Sequence, residues 1–241
     1  IGNGNTDNTA AFEAANSAAN GRTVFVPEGN FRLAQNVTID TPVKFEGRVS
    51  MPDTAVLLLR RNFDLPTYIE AFEDEELAFK KAFQALLNNS DHETLDMGGR
   101  KVNVTAPLDL AASVPGTNSY ATRRVIRNGQ LEAAAGAAWD TEVFTSAATY
   151  SAGDPRTLTA VTNVASIPVG SLVEGTGVGR EVYVRSKDLA RQEITLNKPL
   201  YDAEGRQNYT FRRFKYLIDF GGFNALSKFV LADIEFQCND R

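Results

Sequence analysis

Hydrolysis of a glycosidic bond needs two carboxylates held at a defined separation across a sugar. In this 241-residue chain the carboxylates best placed for such work are Asp219, Asp233, Glu235 and Asp240, which fall in its last strand-like segments. Asp219, Asp233 and Glu235 alternate with apolar neighbours, however, and that is the pattern of solvent-facing positions on a half-buried strand. Lyase chemistry would require calcium-binding carboxylates and a basic residue along one groove. Arg123, Arg124 and Arg127 lie close together in sequence, but no matching acidic set accompanies them. His92 is the single histidine and follows a polar loop, where a solvated side chain is the simplest reading. The run Glu73–Glu76 reads as a helix N-terminus rather than a metal site, and Arg60-Arg61 and Arg212-Arg213 as surface or intersubunit charges. Gly175-Thr176-Gly177-Val178-Gly179 has no Lys-Ser/Thr ending, so it does not make a phosphate loop. Trp139 and Tyr150 could stack on sugar, yet packing at an interface explains them more simply. No catalytic, cofactor-binding or metal-binding residue is therefore assigned, and no cofactor is expected.

The elements that must carry these residues follow from the pattern of apolar side chains. Thr6 or Asp7 can cap a helix over 8–19 with Ala11, Phe12, Ala15, Ala18 and Ala19 on one face, ended by Asn20-Gly21. Short strands follow at Thr23–Val26, Phe31–Leu33, Val37–Ile39 and Val43–Phe45. The unit recurs about 67 residues later, with Asp74, Ala78, Phe79, Ala82 and Ala85 answering Asp7, Ala11, Phe12, Ala15 and Ala18. This second helix, 75–87, carries Phe79, Phe83, Leu86 and Leu87 as its apolar stripe, and Glu76 faces Lys80 across one turn. Residues 125–131 read as strand, sharp corner, strand, and Ala133–Ala138 as a small-residue linker. From 152 to 214 alternating strands separated by Gly and Asp turns predict a small antiparallel β module, after which 215–241 returns to solenoid-like strands. The domains expected are thus 1–50, 51–133, 152–214 and 215–241.

Composition narrows the function classes. The 43% hydrophobic and 23% charged residues fit a folded protein rather than a disordered or collagen-like one. A net charge of −5, from 25 Lys+Arg and 30 Asp+Glu, argues against nucleic acid as main partner. The longest apolar run, Ala55–Leu59, is far too short to span a bilayer, so no membrane insertion is expected. Cys238 stands alone, which precludes an intrachain disulfide framework. No secretory signal is visible, and the first residue is Ile1 rather than Met, which leaves open a missing N-terminus and with it any targeting or particle-anchoring segment.

The opening Gly2-Asn3-Gly4-Asn5-Thr6-Asp7-Asn8-Thr9, with Ala10-Ala11-Phe12 and then Gly21–Leu33, resembles the N-terminal signature of the pectate-lyase-like β-helix superfamily. Where that family has Gly-Asp-Gly-x-Thr-Asp-Asp-Thr, Asn3 stands for the first Asp and Asn8 for the second of the Asp pair. The likeness covers 2–47 most closely and 74–132 more loosely. It implies a mainly β fold: a right-handed parallel β-helix solenoid with N-terminal capping helices, interrupted by the inserted module and continuing beyond the chain. It further implies a spike, tailspike or tail-fibre component of a phage or phage-like particle, located on the virion or virus-like particle, that supports attachment to host cell-surface polysaccharide. The partners implied are further copies of the chain in a homotrimer, other particle proteins and the polysaccharide. The alternative is a secreted polysaccharide lyase or glycoside hydrolase with its active site in downstream coils. Asn5-Thr6-Asp7 is similar to the catalytic tripeptide of polygalacturonases, but it lies within the cap signature, and that family's Asp-Asp, Gly-His-Gly and Arg-x-Lys partners are absent from the sequence.

Overall fold

Period-two alternation of apolar residues in three-residue bursts makes the first quarter of the chain a succession of very short strands. The computed structural model describes residues 2–88, 91–116 and 118–238. β1 (Asn3–Asp7) leads into α1 (Thr9–Ala19), followed by β2 (Val24–Val26), β3 (Asn30–Arg32), β4 (Val37–Ile39), β5 (Val43–Phe45), β6 (Arg48–Ser50) and β7 (Leu57–Leu59). Val24, Val26, Val37, Ile39, Val43, Phe45, Leu57 and Leu59 all turn inward and are buried. Pairing is parallel throughout: β2 with β5, β4 with β7, and β3 between β1 and β6. At Gly47 only glycine fits, because an added Cβ would lie 2.2 Å from the Pro27 carbonyl oxygen.

Helix α1 starts where the Asp7 carboxylate accepts from the Thr9 amide (3.0 Å) and hydroxyl (2.7 Å), and it stops at Asn20, which is left-handed. Its buried side is Thr9, Phe12 and Ala19; Ala11, Ala15 and Ala18, expected on that side, are exposed. Apolar periodicity alone does not announce α2 (Leu65–Phe72). Its signals are nevertheless local: Asp64 accepts from the Thr67 amide at 2.9 Å, and Pro66 occupies the first turn, where its missing N–H costs nothing. α3 (Glu75–Asn88) is capped by Asp74 on the Leu77 amide and buries Phe79, Phe83, Leu86 and Leu87. The two helices pack together, and the wholly buried Tyr68 hydroxyl donates to the Leu57 carbonyl at 2.7 Å.

Lys81 is buried on the same helix, 4% exposed. Its ammonium donates to the carbonyls of Pro52 (2.7 Å), Asp53 (3.3 Å) and Ala55 (2.8 Å), and to Gln84 Oε1 (3.3 Å). Gln84 in turn donates to the Asp53 carbonyl at 2.8 Å. One side chain thus satisfies a whole turn that no strand pairs.

After α3 come β8 (Thr94–Asp96), β9 (Lys101–Val104), β10 (Leu108–Asp109), β11 (Ser119–Tyr120) and β12 (Arg124–Ala133). β12 is one ten-residue strand whose first half pairs with β8 and second half with β9; the corner expected within 125–131 is a kink in it, with Asn128 at φ 60°. Its other edge carries the last strand of the chain. Before that strand lies a second unit, Trp139–Lys215, while Ile1–Ala138 and Tyr216–Arg241 make up the first.

The second unit begins before residue 152, where the alternation of the sequence places its start. Glu142–Ser151, outside the expected module, is the long strand β13. β14 (Asp154–Thr159), β15 (Leu172–Glu174), β16 (Val184–Asp188), β17 (Glu193–Leu196) and β18 (Gly205–Arg213) complete an antiparallel sheet in the order β15-β18-β13-β14-β17-β16. Its edges meet in a bridge between Leu172 and Tyr183, so the sheet curls around Leu158, Ile194, Tyr209, Phe211 and their neighbours.

The first unit closes with β19 (Ile218–Asp219), β20 (Ala225–Leu226) and β21 (Phe229–Gln237), parallel to β10, β11 and β12 respectively. The right-handed parallel β-helix solenoid expected from the opening motif is corrected here. The protein is mainly β, 41% strand and 15% helix, but its parallel pairs fall in short, separate sheets and its six-stranded sheet is antiparallel. The cause is the helical pair. Among the named strands none before α2 pairs with one after it, and among the described residues a single isolated bridge, Asp64 to Asp96, crosses the break.

Two outcomes follow from this packing. Expressed alone, 139–215 is expected to unfold in one cooperative urea transition, because its core is contained within it; a featureless baseline would show otherwise. Lys81→Met, which strands buried carbonyls, is expected to lower the stability of the full chain by about 1–3 kcal/mol. Burial pushes the Lys81 amine down to about 8, against 10.5 for an ordinary lysine. Between those pH values the unfolded chain binds more protons than the folded one, so wild-type stability relative to Lys81→Met rises from pH 8 to pH 10. Urea midpoints across that range check the sign.

Candidate functional site

Where β12 kinks, the chain on both sides of it bends too, and polar side chains gather. Asp96 ends β8, and its carboxylate accepts from the Gly98 amide (2.8 Å), Asn128 Nδ2 (3.0 Å) and Arg127 Nε (3.0 Å). These bonds, the Gly98 amide foremost, hold its carboxyl below the usual carboxylate range. On the far side of β12, Asp233 has φ 52° and sits where β21 bends beside Asn128. Gln130 donates to Glu235 at 2.6 Å, and Gln237 donates to the same carboxylate at 2.6 Å.

The result is an open cleft of about 610 Å³. Asn128, Gln130, Asp233 and Glu235 supply its polar wall, with the Gly99 and Gly129 backbone at its floor and Leu231, Ile234 and Phe236 beside them. Gly129 is required there, since a Cβ would meet Met97 at 2.5 Å. Parallel strands repeat in register, so Lys101, Gln130 and Glu235 form one cross-strand row and Asn103, Glu132 and Gln237 the next. Lys101 pairs with Glu132 at 2.5 Å across the rows. Such a wall offers hydrogen-bond acceptors and amide donors at strand spacing on a stiff frame, which suits a ligand rich in hydroxyls.

The other candidate residues go elsewhere. Asp219 caps a turn by accepting from the Gly221 amide at 2.7 Å, and Asp109, its partner in register, does the same for Ala112 at 2.9 Å. Of the four carboxylates singled out, Asp233 and Glu235 are brought together, Asp219 is not, and Asp240 lies outside the described residues. The three arginines diverge. Arg123 pairs with Glu93, the buried Arg124 donates to the Leu86 carbonyl at the end of α3 (2.7 Å), and Arg127 holds Asp96. His92 stacks on Phe63 (4.8 Å between centroids), with Nε2 3.0 Å from the Arg60 carbonyl.

Glu75 and Glu76 reach from the first turn of α3 to Asn103 and Thr105. Arg60 bridges Asp40 and Asp91, Arg61 is exposed, and Arg212 pairs with Glu174 while Arg213 lies against Gly170. Trp139 and Tyr150 are buried, and the Tyr150 hydroxyl donates to Pro155, so neither offers a face to sugar. Among the described residues no group of three His, Cys, Asp or Glu side chains is arranged to hold a metal ion. Asn128 and Gln130, which line the cleft, and Asp96, which holds Asn128, are not singled out by residue type and spacing; the Asn128-Gly129 corner is the one local signal of them.

Asp96→Ala removes the anchor of the cleft. It is expected to cost about 1–2 kcal/mol of stability through its lost hydrogen bonds, with the difference from wild type shrinking as pH falls through the folded-state carboxyl value. Urea titrations at neutral and acid pH measure both. No protein-family model, no curated protein and no solved structure matches the chain.

Proposed function

We propose that this chain is a structural and attachment component of a phage or phage-like particle, a spike or tail fibre, that recognises host cell-surface polysaccharide. The cleft of Asn128, Gln130, Asp233 and Glu235 carries the reading. Carboxylates and amides fixed on a parallel ladder match the alternating hydroxyls of a polysaccharide, and an open cleft lets a long polymer lie across it. The resemblance of residues 2–33 to the signature found in tailspikes supports the particle setting. Under this reading the chain works on the particle surface as a homotrimer beside other particle proteins.

The test incubates the full chain with purified bacterial capsular and O-antigen polysaccharides, following binding, new reducing ends and unsaturated products together. Binding without turnover is expected. Asp233→Asn keeps a side chain that tolerates the left-handed backbone while removing the charge, and is expected to weaken binding roughly tenfold. Turnover that disappears in Asp233→Asn or Asp219→Ala would make the chain an enzyme and overturn the proposal, as would failure to bind any polysaccharide.

A further inference from the structure

In the second unit, Tyr201 is 87% exposed, while the next large apolar side chain, Leu189, is 58% exposed. Tyr201 sits between β17 and β18, flanked by the buried Leu200 and Ala203. Its backbone is held firmly. The Tyr201 amide donates to the Val178 carbonyl (3.2 Å), the Asp202 amide to the Gly177 carbonyl (2.8 Å), and the Leu200 amide to the buried Tyr150 hydroxyl (3.2 Å). Two glycines allow this approach. Gly177 has φ 70°, and a Cβ there would lie 2.5 Å from the Asp202 carbonyl carbon; Gly179 has φ 88°, and a Cβ there would lie 3.1 Å from Tyr201 Cβ. The Gly175–Gly179 run, which suggests no chemistry by its sequence, is what holds the tyrosine in place.

A ring left in water on a stiff backbone has little entropy to lose on binding, since only two side-chain torsions remain. Asp202 follows Tyr201 in the chain and Arg180 follows Gly179, whose backbone meets Tyr201; both are exposed, and among the described residues neither side chain is in an ion pair. We propose that Tyr201 is a stacking platform for a pyranose ring of a polysaccharide, with Asp202 and Arg180 hydrogen-bonding the sugar hydroxyls.

The surroundings select this class of ligand. A protein partner is anchored by an aromatic residue set within other contacts that exclude water, whereas the residues adjoining Tyr201 on these loops, Asp202, Glu204, Arg180 and Glu181, are exposed and charged. A pyranose presents one face of C–H groups and a rim of hydroxyls; the exposed ring answers the first, and the charged side chains that adjoin it along these two loops are of the kind that answers the second. The inference rests on the polysaccharide-recognition reading and adds a second contact to it.

The experiment titrates the full chain with the same capsular and O-antigen panel and compares Tyr201→Ala with Tyr201→Phe, using unchanged urea midpoints as the control for folding. Tyr201→Ala is expected to lose about tenfold in affinity and Tyr201→Phe to stay within about twofold, because the ring and not the hydroxyl does the stacking. Bound polysaccharide is also expected to slow nitration of Tyr201 by tetranitromethane. Binding that survives Tyr201→Ala unchanged, with nitration unaffected, overturns this inference and leaves the proposed function standing. A wild-type chain that binds none of the polysaccharides overturns both.

Discussion

Strands of two or three residues make few ladder hydrogen bonds, so the structure of the first unit depends on side chains that satisfy the backbone where the chain reverses. Asparagine and aspartate do this at turn after turn. Asn16 accepts from the Asp40 amide, Asn36 from Val56, Asn62 from Val43, and Asp7 from Ala34 as well as Thr9. Asp64, Asp74, Asp96, Asp109 and Asp219 hold amides two or three residues ahead of themselves. Their short side chains reach a nearby N–H without loss of much rotamer freedom, which is why these residues and not glutamate occupy the corners. Lys81 is the complement, a donor placed where carbonyls rather than amides are left over.

The same constraint governs what the acidic residues can do chemically. A carboxylate that accepts two or three hydrogen bonds from the fold is stabilised as the anion and is a poor proton donor at neutral pH. Asp7 illustrates it: the Thr9 hydroxyl and the Thr9 and Ala34 amides lower its carboxyl value. Asp7 and Asp96 therefore serve the backbone first. Glu235 also accepts two hydrogen bonds, from Gln130 and Gln237, but they come from side chains of its own and the next cross-strand row, and it stands with Asp233 on β21, where the cleft opens. There the polar wall keeps its geometry through neighbouring rows rather than through burial.

Helix placement decides how far parallel pairing extends. α2 and α3 bury Tyr68, Phe72, Phe79 and Phe83 completely, and each such side chain contributes a large part of the local core. Inserting that apolar mass between β7 and β8 ends the early ladders and makes the later ones start afresh. Phe83 also meets Phe223 and Phe229 from the far end of the sequence, so the helix that interrupts the strands also organises their return.

Much of the local structure is legible in the sequence, because its signals are short-range. Asp74 with Glu75 and Glu76 announces α3, the alternation in Val24–Val26 and Val43–Phe45 announces strands, and Asn20-Gly21 announces a helix stop. The long-range features are not. Nothing local says that Glu142–Ser151 belongs with Gly205–Arg213, that Lys81 turns inward onto a loop nearly thirty residues before it, or that the named strands on the two sides of the helical pair share no sheet. Apolar periodicity fixes which face of a strand is buried; its partner is chosen by the competition of whole elements for the same core. For the same reason Asp233 and Glu235 can be named as candidates from sequence, while Asn128, Gln130 and Tyr201 become visible only once pairing register and loop packing have placed them.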